Sequence, residues 1–152
     1  MSKTVIDLLN DGRQRELLAI SQYMVQHYEL DDTDYGKLAA RVKDIAIVEM
    51  KHAEALAERI LFLNGAPTTT PAAEAKKGLS IPEMLKVDIG LEEDAIKMYN
   101  DSANACAEMG DNVSRQLFES LLDVEENHLD EFQTTLDHVE KLGAAYLATL
   151  ME

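Results

Sequence analysis

Residues 45–56, Ile45-Ala46-Ile47-Val48-Glu49-Met50-Lys51-His52-Ala53-Glu54-Ala55-Leu56, set a glutamate and a histidine three residues apart in a mainly apolar helical pattern. Leu38, Val42, Ile45, Glu49, His52, Leu56, Ile60 and Leu63 are spaced three or four apart, so one helix face carries them all. A second copy follows in Phe118, Leu121, Glu125, His128, Phe132 and Leu136. Each Glu-x-x-His lies 33 residues after another glutamate, Glu16 or Glu92. Those glutamates also interrupt mainly apolar stripes: Leu9, Glu16, Ile20, Tyr23 and His27, then Leu85, Ile89, Glu92, Ile96, Tyr99 and Ala103. One offset of 76 residues carries Glu16, Tyr23, Glu49 and His52 onto Glu92, Tyr99, Glu125 and His128. A single Glu-x-x-His is commonplace on a solvent-facing helix. Two, with matched upstream partners, point to one two-fold site of four carboxylates and two imidazoles.

The punctuation around these stripes sets the topology. Thr4 is placed to cap a helix running to about residue 30, and Asp31-Asp32-Thr33-Asp34 is expected to break it and cap the next, over 34–63. Asn64-Gly65 ends that helix. Gly65 to Gly78 is the one long irregular stretch. Ser80-x-x-Glu83, with Pro82 in the first turn, then opens a helix over 81–109. Asp111 caps a fourth over 111–142, and 144–151 forms a short fifth. The two short links make antiparallel hairpins, and a link of about fifteen residues between them is long enough to cross the bundle. The expectation is all-α: a four-helix bundle with a long crossover between helices 2 and 3, in a single domain over 1–152.

Four carboxylates on core-facing stripes need compensation. Burying one unpaired carboxylate costs several kcal/mol even after relaxation, of the order of what a small domain has to spare. The stripes offer little Lys or Arg; Arg13, one turn before Glu16, is the exception. Two divalent cations would balance the four charges, and neutral His52 and His128 would complete the coordination. Oxygen-rich ligation with imidazole suits iron or manganese better than structural zinc. Tyr23 and Tyr99 each lie seven residues after a glutamate on the same face, where packing and a hydrogen bond to a ligand carboxylate are comparable expectations. His27 and His138 are expected to be ordinary residues.

Composition narrows the classes. The 152 residues are 46% apolar and carry 14 basic against 29 acidic side chains, a net charge of −15. That surface repels nucleic acid and anionic membrane and attracts cations. The single cysteine, Cys106, permits no intrachain disulfide. Met1-Ser2-Lys3-Thr4 opens no apolar leader, and no apolar run suits a bilayer, so the expected location is cytoplasmic.

Several strings resemble bacterioferritin, within the ferritin-like superfamily: Ile20-Ser21-Gln22-Tyr23, Glu49-Met50-Lys51-His52-Ala53, Arg59-Ile60-Leu61-Phe62-Leu63, Asp88-Ile89-Gly90-Leu91-Glu92 and Glu125-Glu126-x-His128. The similarity runs from about residue 4 to the end. The resemblance implies a ferritin-like bundle that stores and detoxifies iron, oxidising Fe(II) to Fe(III) with O₂ or peroxide at two irons within each subunit. Glu49 and Glu125 would bridge the irons, with Glu16 and His52, and Glu92 and His128, as terminal ligands. It implies a homo-oligomeric shell of twenty-four subunits built of dimers, with a ferredoxin-type electron donor. It also implies haem b between two subunits, held by one methionine from each, which falls on Met50. As Glu49's neighbour, Met50 points about 100° away from the metal stripe.

The chain departs from the family pattern where bacterioferritins often carry an inner-surface histidine and aspartate; Asp44 and Val48 stand there. Glu131 replaces an aromatic often found three residues after the second histidine. The paired Tyr99 is closer to rubrerythrins, so a small-oligomer di-iron peroxidase is a rival reading, although one cysteine cannot build a rubrerythrin's cysteine-ligated iron module. A haem-carrying electron-transfer module with a vestigial metal site is the other. Manganese in place of iron is equally compatible with the six residues.

Overall fold

The computed structural model describes residues 3–152; Met1 and Ser2 of the opening segment lie outside the described residues. The chain forms α1 (Val5–Asp32), α2 (Gly36–Phe62), α3 (Ile81–Glu108), α4 (Asn112–Leu142) and the short α5 (Ala144–Thr149). No strand occurs among the described residues. α1 pairs with α2 and α3 with α4, and the two hairpins meet mainly along α1 and α3.

Local chemistry explains most of the boundaries. Thr4 and Asp7 form a capping box on α1, and Ser80 and Glu83 form another on α3 with proline in its first turn. The Asp111 side chain accepts from the Ser114 N–H at the start of α4. The first hairpin turn departs from expectation. Asp31 and Asp32 continue α1, Asp34 takes a left-handed φ of 68°, and α2 opens two residues late from Tyr35, which makes no side-chain cap. The turn is closed by the Tyr35 N–H to the Leu30 carbonyl at 2.9 Å and by the Thr33 hydroxyl to the Glu29 carbonyl at 2.9 Å, so the run finishes α1 instead of capping α2. At the end of α2 the left-handed residue is Asn64, with φ 65°, while the Gly65 N–H returns to the Ile60 carbonyl. The fifth helix ends at Thr149, and buried Leu150 turns its carbonyl to the Lys37 N–H.

The crossover is tied to α1 along its length. Asn10 bonds the Ala66 carbonyl and the Thr68 N–H, the Gln14 carbonyl takes the Ala72 N–H, Gln22 bonds both backbone groups of Lys76, and Glu29 takes the Gly78 N–H. Successive partners on α1 carry the crossover from one end of the bundle to the other. This polar edge explains why Gln22 is buried although it is off the main stripe.

Two apolar clusters fill the interior. One holds Tyr23, Leu30, Leu38, Val42, Ile45, Leu85, Phe132 and Val139. The other holds Leu9, Leu56, Ile60, Tyr99, Ala103, Cys106, Phe118 and Leu121. Between them lies a layer of buried polar groups.

Candidate metal centre

Glu16, Glu49, Glu92 and Glu125 are fully buried, and His52 and His128 nearly so. All six meet in this middle layer, one glutamate from each long helix and a histidine from α2 and α4. His52 Nδ1 lies 3.1 Å from Glu49 Oε1, 3.5 Å from Glu16 Oε2 and 3.7 Å from Glu125 Oε1. His128 Nδ1 lies 3.2 Å from Glu125 Oε1, 3.7 Å from Glu92 Oε1 and 3.8 Å from Glu49 Oε1. Two overlapping groups can each hold a cation: Glu16, Glu49, His52 and Glu125, and Glu49, Glu92, Glu125 and His128. Glu49 and Glu125 are common to both.

Each of the six residues leaves one buried polar atom without a hydrogen-bond partner among the described residues: Glu16 Oε2, Glu49 Oε1, His52 Nδ1, Glu92 Oε2, Glu125 Oε1 and His128 Nδ1. Orphaned buried polar atoms are rare because each forfeits its hydration without replacement. Six converging from four helices form a donor set of the kind a hard or borderline divalent cation takes.

The tyrosines join the two halves. Tyr23 donates to Glu92 Oε1 at 2.6 Å and Tyr99 to Glu16 Oε1 at 2.5 Å, so each reaches the glutamate of the opposite hairpin. Each ring is rooted in a different apolar cluster, Tyr23 against Phe132 and Tyr99 against Phe118. Tyr99 lies against Gly12 of α1, where a Cβ would touch the ring at 3.4 Å and press on Leu56 Cδ1 at 3.3 Å.

The protonation tendencies report a layer short of positive charge. Burial pulls the His52 imidazole down, but the Glu16 and Glu49 carboxylates outweigh it and raise it to about 10. His128 is raised by Glu92 and Glu49, again against its burial. Burial, with Glu16, Glu49 and Glu92 adding to it, pushes the Glu125 carboxyl up to about 12 although Arg15 opposes. Glu16 goes the other way, because Arg15 and His52 outweigh its burial.

Arg15 is the functional residue that the sequence reading missed. Its guanidinium is buried among all four carboxylates: Nη1 at 2.8 Å from Glu16 and also on Glu49 and Glu125, Nη2 at 3.1 Å from Glu92. The expected basic neighbour, Arg13, turns away and bonds the Thr68 and Ala53 carbonyls. Buried Gln22 and Gln26 lie seven and eleven residues beyond Arg15 on α1. That polar stripe was the available signal.

The chain matches the ferritin-like domain over residues 6–142. It is 44% identical to the bacterioferritin of Desulfovibrio desulfuricans over 96% of this chain and 82% of that one. It is 39% identical to that of Brucella melitensis, over 91% of this chain and 86% of the other. This chain belongs to the bacterioferritin family. An X-ray structure of the Desulfovibrio desulfuricans bacterioferritin, describing its di-iron site in different catalytic states, superposes with a TM-score of 0.95 over 97% of this chain and 86% of that one.

The remaining positions read from bacterioferritin strings fall outside the buried layer. Met50 is partly exposed beside Ile47 on the outer side of α2. Asp44 and Val48 line a surface cleft with Arg41, Glu131 and the edge of His128. His27 bonds the Ala39 carbonyl, and His138 packs at a tilt against Tyr146. No described helix is long and apolar enough to cross a membrane.

Proposed function

We propose that the chain, as one ferritin-like domain, stores and detoxifies iron by oxidising Fe(II) at the buried six-residue cluster. The observation that carries this is the six orphaned donor atoms, one from each of Glu16, Glu49, His52, Glu92, Glu125 and His128. Glu16 and His52 would hold one iron, Glu92 and His128 the other, and Glu49 and Glu125 would be shared. When bound, a pair of Fe(II) ions gives up two electrons, enough to reduce O₂ to hydrogen peroxide or peroxide to water. The chain's own part is to fix the donors and keep their geometry. Tyr23 and Tyr99 orient Glu92 and Glu16 by hydrogen bonds, and the two apolar clusters lock those tyrosines in place. The acidic surface favours the approach of Fe(II).

The assembly that fits is the bacterioferritin shell of twenty-four subunits built of dimers, cytoplasmic and served by a ferredoxin-type donor. Met50, exposed and turned from the carboxylates, would be the residue to hold haem b, shared with a second subunit through its thioether. Size-exclusion with in-line absorbance checks both features: a large shell with a Soret band supports them, and a small oligomer supports the peroxidase alternative.

The reaction itself is tested by stopped-flow Fe(II) oxidation. Glu125→Ala and His128→Ala are expected to abolish the rapid phase with both O₂ and peroxide. Wild-type rates in either variant overturn the assignment.

A further inference from the structure

The offset that carries Glu16 onto Glu92 and Tyr23 onto Tyr99 carries Arg15 onto Leu91. The layer therefore has matching donors from each half but a buried guanidinium from one half only. Arg15 spans the two-fold: its Nη2 donates to the Leu91 carbonyl at 3.2 Å, while its amino groups engage one oxygen of every carboxylate. On Glu49 and Glu125 the engaged atom is Oε2, and Oε1 is the unpartnered atom facing the imidazoles. A carboxylate that links two cations needs both oxygens. Arg15 holds one oxygen of each shared glutamate.

Charge leads to the same conflict. Four carboxylates balance two divalent cations, and a guanidinium kept in the same dry layer adds an uncompensated positive charge, which is costly there. One divalent cation and Arg15 together are compatible with the four carboxylates. We propose that Arg15 is a resident cation that competes with the second metal ion. The first cation takes the unpartnered oxygens and an imidazole with Arg15 in place; the second binds only as the guanidinium leaves Glu49 and Glu125. A cleft of about 400 Å³, walled by Leu18 and Gln22 of α1, Leu91 of α3 and Ala73, Glu74 and Lys76 of the crossover, lies against Leu91, whose carbonyl Arg15 holds. The device makes the centre fill in two unequal steps, and it rests on the di-metal reading above.

The test is a Co(II) titration of the chelator-treated full chain, followed by calorimetry and by the cobalt visible bands, for wild type and Arg15→Met. Wild type is expected to bind two ions per subunit with dissociation constants at least tenfold apart. In Arg15→Met the second step should tighten at least tenfold and approach the first. A second measurement needs no variant: phenylglyoxal labelling of wild type, read by peptide mass spectrometry, should spare Arg15 with one Co(II) and modify it with two. Two equal steps in wild type, an unchanged or weaker second step in Arg15→Met, or Arg15 protected at full loading overturns the proposal while leaving the di-metal reading intact. Wild type that binds no Co(II) overturns both.

Discussion

Asp88→Asn should stabilise the protein at neutral pH and remove part of its pH dependence. Asp88 and Gln26 are each 1% exposed. Gln26 Nε2 donates to Asp88 Oδ1 at 2.8 Å, yet Gln26 Oε1 and Asp88 Oδ2 are both unpartnered among the described residues. One proton on Oδ2 resolves both, closing a second hydrogen bond back to Oε1. The electrostatics agree. Burial raises the Asp88 carboxyl well above its ordinary range, Glu92 adds to the effect, and the Gln26 bond only partly opposes it. A carboxyl raised in the folded state contributes its stability fully below the unfolded value of about 3.9 and loses it as pH climbs toward the folded value. Within that window the loss is about 1.4 kcal/mol per pH unit. Asparagine keeps the Gln26 contact, supplies the missing donor permanently and cannot ionise. With roughly 2–4 °C of Tm per kcal/mol in a chain of this size, the variant should gain on wild type as pH rises above the unfolded value, by up to roughly 3–5 °C per pH unit until the folded carboxyl titrates. Circular-dichroism melts at pH 5, 6 and 7 measure this directly. Parallel Tm-against-pH curves, or an asparagine variant less stable at every pH, would refute the paired-acid account.

Two further outcomes follow from named contacts. Tyr23→Phe and Tyr99→Phe each delete a donor to a buried carboxylate and should cost about 1.5–3 kcal/mol in urea unfolding, the range for hydrogen bonds to charged groups; because the contacts are two-fold equivalents, the two losses should be similar. Asp111→Ala removes the α4 cap and the 2.8 Å partner of Arg59 and should cost about 1–2 kcal/mol by thermal melt. Burial raises the Asp111 carboxyl, but Ser114 and Arg59 outweigh it and hold it below the ordinary range. Its contribution is therefore present above the unfolded value and lost as pH falls through the folded one, so wild type and Asp111→Ala should converge in acid.

The legible part of the molecule was the part that repeats. On α2 and α4, Leu38 to Ile60 and Phe118 to Phe132 are buried at the spacings read from the sequence, because each helix presents a single stripe to the core. On α1 and α3 the stripe was only half right. Ala19, Gln22 and Gln26 are buried where Ile20 and His27 were expected, and Ala95 and Asp88 where Ile96 and Ile89 were. These two helices also pack against each other, and α1 carries the crossover, so their buried surface is wider than one stripe and includes polar groups whose partners are distant in sequence. Gln26 cannot announce Asp88, nor Gln22 the Lys76 backbone. Arg15 was hidden for a related reason. A turn-by-turn count favours Arg13 as Glu16's neighbour, but Arg13 sits at the edge facing the crossover and finds carbonyls there. Arg15 faces α3, and its long side chain reaches back into the layer.

The position of the polar layer has an energetic consequence. Seven ionisable groups are withdrawn from water between two apolar clusters, and neither cluster alone spans the bundle. Such a layer contributes little net stability even when its members are paired, because desolvation offsets their attraction. The clusters above and below must hold the helices together while Tyr23 and Tyr99 fix two of the carboxylates. Cations that bind the folded layer and not the unfolded chain then stabilise the fold by mass action, about 2.7 kcal/mol at a hundredfold excess over the dissociation constant. Arg15 limits that dependence, since an internal guanidinium keeps the carboxylates partly compensated when metal is scarce. The same contact must weaken binding of the second ion, so stability without metal and affinity for metal are set against each other at one side chain.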